Sequence, residues 1–377
     1  MYQIKMNFKR FTVIAAVAAC TICTGCGAVA GDTASAVGIK TVPYGQLTPE
    51  EEAEKAAKDA NARAAAEAEK ARKQAEKERA AAERAEEEKK AEEEKKAEEE
   101  QKALEEAEAK KTTAQKIIEA GGSFTYLDVH GVSHDTTINS TWPTNDYDMD
   151  AFVVKDGRAS YEGDGYTYRL GVDVYEAYGD IDWEAVKNDG YEFAIVRLGY
   201  RGYYYPTIVR DGTVIDNLVY ANNAGLDLGV YFFSQAITEE EAVEEAEYAI
   251  SILEADGIMP ENLPLGITYD PEDVDIEGAR TIGLSGEQIT KNALAFCQRI
   301  EEAGYKAVIY SNMIWEDKNF DLGQLAAYDV WYADYELKPQ SPYAFTIWQY
   351  GHGTSAGIEG AVDVDIQLIP AEQDDPE

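Results

Sequence analysis

The chain is short of positive charge, of histidine and of cysteine, and each shortage narrows what it can do. Lys and Arg number 34 against 72 Asp and Glu, for a formal net charge of −38. So acidic a protein repels nucleic-acid phosphates and gains nothing from anionic lipid head groups, which argues against both as partners. The excess acid provides solubility and self-repulsion. Only three histidines occur, His130, His134 and His352, and none stands in a motif with Ser or Cys, so a nucleophilic triad is unsupported. Of four cysteines, Cys20, Cys23 and Cys26 crowd the N-terminus. The fourth, Cys297, sits in the helix-like "NALAFCQRI" and reads as buried core. No disulfide framework is implied. Metal loops are also lacking. "DYDMD" (Asp146 to Asp150) opens with calcium-loop spacing but has neither the Gly nor the closing Glu. A second run, Asp273, Asp275, Glu277 and Gly278, has Leu284 where the twelfth-position Glu belongs. Neither a metal nor a cofactor is expected.

Residues 1–30 read as an export signal. Lys5, Lys9 and Arg10 precede a mostly apolar run from Phe11 to Gly25, too short to span a bilayer comfortably. "CTGC" resembles the lipobox of bacterial lipoproteins, although Cys23 stands where Leu is usual. That resemblance implies lipidation at Cys26. "VAAC", ending at Cys20, fits the box better but leaves a shorter apolar stretch. Simple secretion, with cleavage after Ala30 or Ala36, is the competing reading. Either way the address is extracytoplasmic: lipid-anchored on the outer face of a bacterial membrane, or secreted. Residues 31–48 are a linker.

Residues 49–120 have few large apolar side chains and consist mainly of Ala, Glu, Lys and Arg. "EEEKKA" occurs at 86–91 and 92–97, followed by "EEEQKA" at 98–103. The spacing sets Glu86 four before Lys90, Glu92 before Lys96 and Glu98 before Lys102, pairs worth about 0.2–0.5 kcal/mol each. "TPEE" offers Thr48 as N-cap, Pro49 at the first helical position and Glu51 for a capping box. Gly121 and Gly122 supply the stop. A coiled coil needs large apolar a and d residues, so a solvated single helix is the better expectation, ahead of a weak coil. Unbroken, it would reach roughly 110 Å at 1.5 Å per residue. It would hold a globular domain away from a membrane.

Residues 123–168 hold strand-like runs with turn chemistry at Asp156-Gly157 and read as a small β-rich connector packed against the next unit of the chain. From 169 to 370, near-continuous apolar strands alternate with helical patterns: "RLGVDV", "FAIVRLGY", "LGVYFFS", "LPLGITYD", "KAVIYSN", "DVWYADY", "AFTIWQY" and "AVDVDIQL". Such alternation means a parallel sheet covered by helices. The strands close up late in the chain, so the last helices are expected to be missing. The fold class is α/β, a compact barrel behind a long charged helical spacer. An acidic tail, 371–377, ends the chain.

Acids fall at three strand ends: Asp173, then Asp270 with Glu272, then Asp363 with Asp365. Aromatics gather there too: Tyr200, Tyr231, Phe233, Tyr310, Trp331, Tyr335, Trp348 and Tyr350. Catalytic groups of a β/α barrel collect at the C-terminal ends of its strands. Asp270 and Glu272, two apart, share a side of their strand. Two such carboxylates repel, and partial burial raises one pKa. That arrangement suits protonating a glycosidic oxygen beside a stabilised positive centre. Aromatic walls would carry sugar rings. Asp275 and Glu277 read as a solvated turn.

"GVDVYEAYGDIDWEAVKNDGYEFAIVRLGYRG", "AGLDLGVYFFSQA", "YDPED", "AGYKAVIYSN", "VWYADY", "WQY" and "GIEGAVDVD" occur in the order found in glycoside hydrolase family 25, the Chalaropsis-type lysozymes or N-acetylmuramidases. The resemblance covers about 169–370. It implies a flattened, irregular TIM-like barrel. It also implies hydrolysis of the β-1,4 bond between N-acetylmuramic acid and N-acetylglucosamine, with peptidoglycan strands as partner. The Asp-x-Glu motif falls on Asp270 and Glu272, implying Glu272 as general acid. Asp270 would stabilise positive charge or orient the N-acetyl group. The family's early and late aspartates fall on Asp173 and Asp363. The aromatics expected at substrate are Tyr200, Tyr231, Phe233, Tyr310, Trp331 and Trp348. Tyr175 and Tyr178 replace the usual Ser and Gln, Asp365 replaces Asn, and Gly351-His352 follow "WQY". These departures favour the one alternative kept open, a barrel that binds glycan without cutting it.

Overall fold

The computed structural model describes residues 45, 47–109, 111–274 and 276–371. The export signal with Cys26, most of the 31–48 linker, Asp275 and the tail beyond 371 lie outside the described residues. By internal contacts the chain divides into two units, residues 1–94 and 95–377.

Helix α1 (Pro49–Ala109) opens as its sequence requires. Glu51 accepts from the Thr48 N–H (2.9 Å), and Thr48 Oγ1 accepts from the Glu51 N–H (3.3 Å), a reciprocal capping box. Every described α1 side chain is exposed, as its low apolar content demands. Two expectations are corrected. The helix does not continue to residue 120. It ends at Ala109, and Thr112 caps a separate α2 (Thr113–Glu119) through a second box with Gln115. The hydroxyl of a β-branched Thr serves better as a cap than inside a helix. The unbroken length is therefore 61 residues, about 90 Å at 1.5 Å per residue. Gly121 and Gly122, both at positive φ, do end α2. The repeat's ion pairs also run the other way. Lys89, Lys90, Lys95 and Lys96 reach forward to Glu93, Glu94, Glu99 and Glu100 at 3.7–3.9 Å. "EEEKKAEEE" gives Lys90 and Lys96 an acid four residues on either side, and at such exposure neither choice is worth more than about 0.5 kcal/mol. Among the described residues no helix is long and apolar enough to cross a membrane.

The connector is two antiparallel hairpins, β1 (Ser123–Leu127) with β2 (Ser133–Thr137), and β3 (Phe152–Lys155) with β4 (Arg158–Tyr161). The first docks on the barrel through the Tyr126 hydroxyl, which donates to Asp317 (3.0 Å), and through Gln340, which bonds both N–H and C=O of Leu127.

Eight strands then close an irregular barrel: β5 (Tyr166–Val174), β6 (Phe193–Arg201), β8 (Asp227–Ser234), β9 (Gly266–Pro271), β10 (Ala307–Asn312), β11 (Asp329–Ala333), β12 (Ile347–Gly353) and β13 (Val362–Pro370). A short β7 (Ile208–Arg210) edges β6. Pairings run parallel from β5 round to β12, and only β13 is antiparallel to both neighbours. Helices α3 (Trp183–Asn188), α4 (Val214–Asn223), α5 (Glu239–Ala255) and α6 (Gly286–Glu302) fill the early crossovers. A π-helical turn, Trp315–Asn319, follows β10, and no helix separates the last three strands. The missing late helices are thus as the strand spacing predicted.

Strand alternation sorts two cores. Val172, Val196, Val230, Ile267, Ile309 and Trp348 face outward into the helix-covered layer. Phe193, Ile195, Tyr231, Val308, Tyr310, Trp331 and Ile347 fill the barrel. Gly171 is required inside: a Cβ there would lie 2.1 Å from the Phe193 ring. Cys297 is buried on α6.

Candidate active site

The inward phase of the strands, where apolar plugging stops, is where the acids stand. On β5 the phase continues from Gly171 to Asp173. On β13 it takes Asp363 and Asp365, and on β9 Thr268 and Asp270. The β13–β5 register sets Asp363 opposite Asp173. Asp270 ends β9, and Pro271, which cannot donate to a ladder, closes the strand just before Glu272. The backbone turn there is fixed by Gln235, whose Nε2 donates to the Glu272 carbonyl (3.0 Å). One cavity of about 410 Å³ gathers Asp173, Asp270, Glu272 and Asp363 with Tyr231, Phe233, Tyr310 and Trp331. All four expected acids and four of the six expected aromatics therefore meet.

Two expected aromatics do not. Trp348 is fully buried on the outward phase of β12, between Phe152 and Tyr350, with its indole N–H donating to the Asp334 carbonyl (2.7 Å). Its neighbours of opposite phase, Ile347 and Gln349, point into the barrel. Tyr200 lies beyond a register irregularity between Arg197 and Gly199 and stands against the Arg197 guanidinium (5.2 Å) rather than in the cavity wall. Proximity to a strand end is visible in sequence, but strand phase decides which aromatics reach the cavity.

Several residues of the cavity went unanticipated. Arg197 brings positive charge, held by Asp211 (2.9 Å) and Glu176 (3.4 Å) and covered by Tyr175 (4.5 Å). Gln349 is a clamp: its Nε2 donates to Asp173 Oδ2 (2.7 Å), while its Oε1 accepts from the hydroxyls of Tyr310 (2.9 Å) and Tyr335 (3.1 Å). A lone Arg or Gln in the inward phase of an apolar strand was the legible signal for both. Tyr203 adds to the wall against Phe233 (6.0 Å). His352, close after "WQY" and so already a candidate for the cleft edge, lies on β12, borders the cavity, and meets Asp363 Oδ1 at 3.2 Å. Tyr178, one of the departures, donates its hydroxyl to Asp363 Oδ2 (3.0 Å).

The acids perturb one another. Burial, then the Glu272 charge, drives Asp270 well above the ordinary carboxylate range, and Arg197 pulls it back. Its Oδ1 is buried without a donor. Glu272, half-buried at the cavity mouth, is raised first by desolvation, and the Tyr310 hydroxyl opposes this. Burial raises Asp363, with His352 and Tyr178 acting against it. Asp173 is raised by burial, then by Asp365 and Asp363. Asp365 lies beneath, fully buried. Its Oδ1 accepts from the Trp331 indole N–H (2.8 Å), and its Oδ2 has no donor. The group facing it is the Asp173 carboxyl, so the two bond only when one carries a proton. Coupled carboxyls held above the ordinary carboxylate range, opening on an aromatic cleft, are equipped for acid catalysis at a glycosidic bond. Among the described residues no three His, Cys, Asp or Glu side chains are placed to hold a metal.

The model of the glycosyl hydrolases family 25 matches residues 172–358. These residues are a family 25 glycoside hydrolase domain. The family 25 domain is similar to an autolytic lysozyme of Clostridium acetobutylicum, 28% identical over 52% of this chain and 54% of that protein. It is also similar to Lysozyme M1 of Streptomyces globisporus, 30% identical over 51% of this chain and 65% of that protein. The chain thus spans between half and two thirds of these relatives. Among solved structures, a bacterial lysozyme from Streptomyces coelicolor shares 26% identity over 52% of this chain and 90% of its own, with a TM-score of 0.44. The matched interval begins inside β5, so both hairpins of the connector and all of α1 lie outside the family 25 domain.

Proposed function

We propose that the protein is a peptidoglycan muramidase that hydrolyses the β-1,4 bond between N-acetylmuramic acid and N-acetylglucosamine. The observation that carries this reading is the placement of Glu272. It is the carboxyl of the Asp270–Glu272 pair that reaches the cavity mouth, while Asp270 is 3% exposed on the floor. Only a group that reaches the glycosidic oxygen can protonate it. Glu272 therefore delivers the proton as the bond breaks. Asp270, on the floor with the Arg197 charge favouring its ionised form, would as a carboxylate stabilise the positive centre that grows on the sugar or orient the N-acetyl group. Asp173 and Asp363 supply further negative potential, and Gln349 fixes Asp173. Tyr231, Phe233 and Tyr310 offer flat surfaces for pyranose rings.

The similarity to an autolytic lysozyme and to Lysozyme M1 supports a cell-wall glycan as substrate. Work on a wall polymer takes place outside the cytoplasmic membrane, where a lipid on Cys26 would tether the enzyme and α1 would extend its reach. The alternative, binding without cleavage, is favoured by Tyr175 and Tyr178 at the rim and opposed by the complete acid set. Clearing of purified cell walls decides between them. Wild type is expected to clear, and Glu272→Gln to lose about 10²–10⁴-fold in rate, the usual contribution of general acid catalysis. Binding by wild type without clearing would overturn the reading.

A further inference from the structure

The barrel's cavity does not end at the family 25 domain. A second cavity, about 470 Å³, shares Glu272, Tyr310 and Tyr335 with the first and continues from them toward the β1–β2 hairpin. Its outer wall is the hairpin's turn, with Val129 and His130 lining it. That turn is held in place. Asp128 Oδ1 accepts from the N–H of His130 (2.9 Å) and Val132 (2.8 Å), and its Oδ2 meets His134 Nε2 (2.8 Å). His134 stacks on Tyr126, which is anchored to Asp317. Gly131 takes the positive φ (75°) that the turn needs.

The wall joins apolar surface to unused polar groups. Val129, Ile314 and Trp315 give the apolar part. Asn312 spends its Oδ1 on the N–H groups of Ile314 (3.0 Å) and Trp315 (3.2 Å). Its Nδ2, the Asp273 carboxylate and the His130 ring bond to no protein group among the described residues, although all three residues line the cavity. Apolar patches interleaved with unsatisfied donors and acceptors match a pyranose, which has apolar faces and polar edges. Glu272 marks where the glycosidic oxygen must lie, and a polymer cut there continues on both sides. The cavity beyond Glu272 can take its next unit.

We propose that the β1–β2 hairpin, which lies outside the family 25 domain, builds an additional glycan subsite next to the cleavage point, with Val129, His130 and Asn312 contacting a further saccharide of the strand. The polymer's identity rests on the muramidase reading; the existence of the subsite does not require cleavage. The connector thereby sets a preference for longer strands and does more than join spacer to barrel.

The test is calorimetric titration of the full chain carrying Glu272→Gln with peptide-free wall glycan oligosaccharides of increasing length. Affinity is expected to rise about tenfold at the length that first fills the second cavity, a step of roughly 1.4 kcal/mol. Val129→Ser with His130→Ala, both on the exposed turn, is expected to remove that step while leaving the shorter ligands' affinity unchanged. No length step, a step that survives the double substitution, or a step only when stem peptides are attached would each overturn the subsite. Wall clearing by the unsubstituted chain is read separately. A length step abolished by the double substitution, together with no clearing, would sink the muramidase reading and leave the subsite standing.

Discussion

Asp365→Asn is the sharpest probe of the acid floor. Asp365 is fully buried, its Oδ1 takes the Trp331 N–H at 2.8 Å, its Oδ2 has no donor, and the Asp173 carboxyl is a neighbouring group. Asparagine has nearly the same shape. It keeps the acceptor for Trp331 and places an N–H₂ where the orphan oxygen was, a donor that the neighbouring Asp173 carboxyl can accept from. A buried acceptor without a partner costs about 1–3 kcal/mol. At about 2 °C per kcal/mol for a domain this large, the substitution should raise Tm by about 2–6 °C.

The gain must depend on pH, and its sign is fixed. Burial first, then Asp363, raises Asp365; burial, Asp365 and Asp363 raise Asp173. Carboxyls whose folded pKa exceeds the unfolded value bind protons on folding. Their contribution is fully present below the unfolded pKa and is lost as pH rises through the folded one. In acid, Asp365 is protonated, donates to Asp173 and resembles Asn. The advantage of Asn is therefore small at an acid pH near the ordinary carboxylate pKa and larger at an alkaline pH above the raised one. Scanning calorimetry of the full chain at both pH values measures it. A lower Tm at the higher pH, or an equal change at both, would refute the reasoning. Wall-clearing rate should shift its pH profile as well, since Asp173 loses a like-charged neighbour.

Trp348→Phe should lower stability by about 1–3 kcal/mol, because the Asp334 carbonyl loses its indole donor in a dry layer. KM for wall glycan should stay unchanged, and a raised KM would return Trp348 to the substrate. Glu316, buried beside Asp334 with Ser341 as its donor (2.6 Å), is pushed up to about 8 by burial. Its proton-linked stability is present below about 4.5 and is lost as pH rises toward about 8. Glu316→Gln should flatten the Tm–pH curve across that window. A curve that keeps its slope would show that another group carries it.

Much of the site was legible because barrel strands concentrate polar groups in one place. Acids at the ends of apolar strands marked Asp173, Asp270, Glu272, Asp363 and Asp365 as candidates, and the resemblance to family 25 narrowed them to the first four. Aromatics gave weaker signals, since a Trp or Tyr is equally at home in core. Trp348 and Trp331 have similar sequence surroundings, yet one faces the helix-side layer and the other the barrel. Only the phase of each strand separates them. Arg197 and Gln349 stood in the inward phase throughout and became visible as partners only when β6, β12 and β5 were brought together.

The sequence by itself determined the division of the chain: a charged helix with too little apolar surface to pack, then alternating apolar strands that must close around a core. It also determined where the acids lie along the strands, because the two-residue period commits alternate side chains to one face. Tertiary structure decided what no local pattern encodes. It broke the spacer at Thr112, where a cap competes with the helix. It set Asp363 opposite Asp173 through the β13–β5 register, with Asp365 two residues along opposite Gly171. It also brought the β1–β2 hairpin, 135 to 149 residues before Glu272, to the same cleft, since contacts between distant segments depend on how whole elements pack.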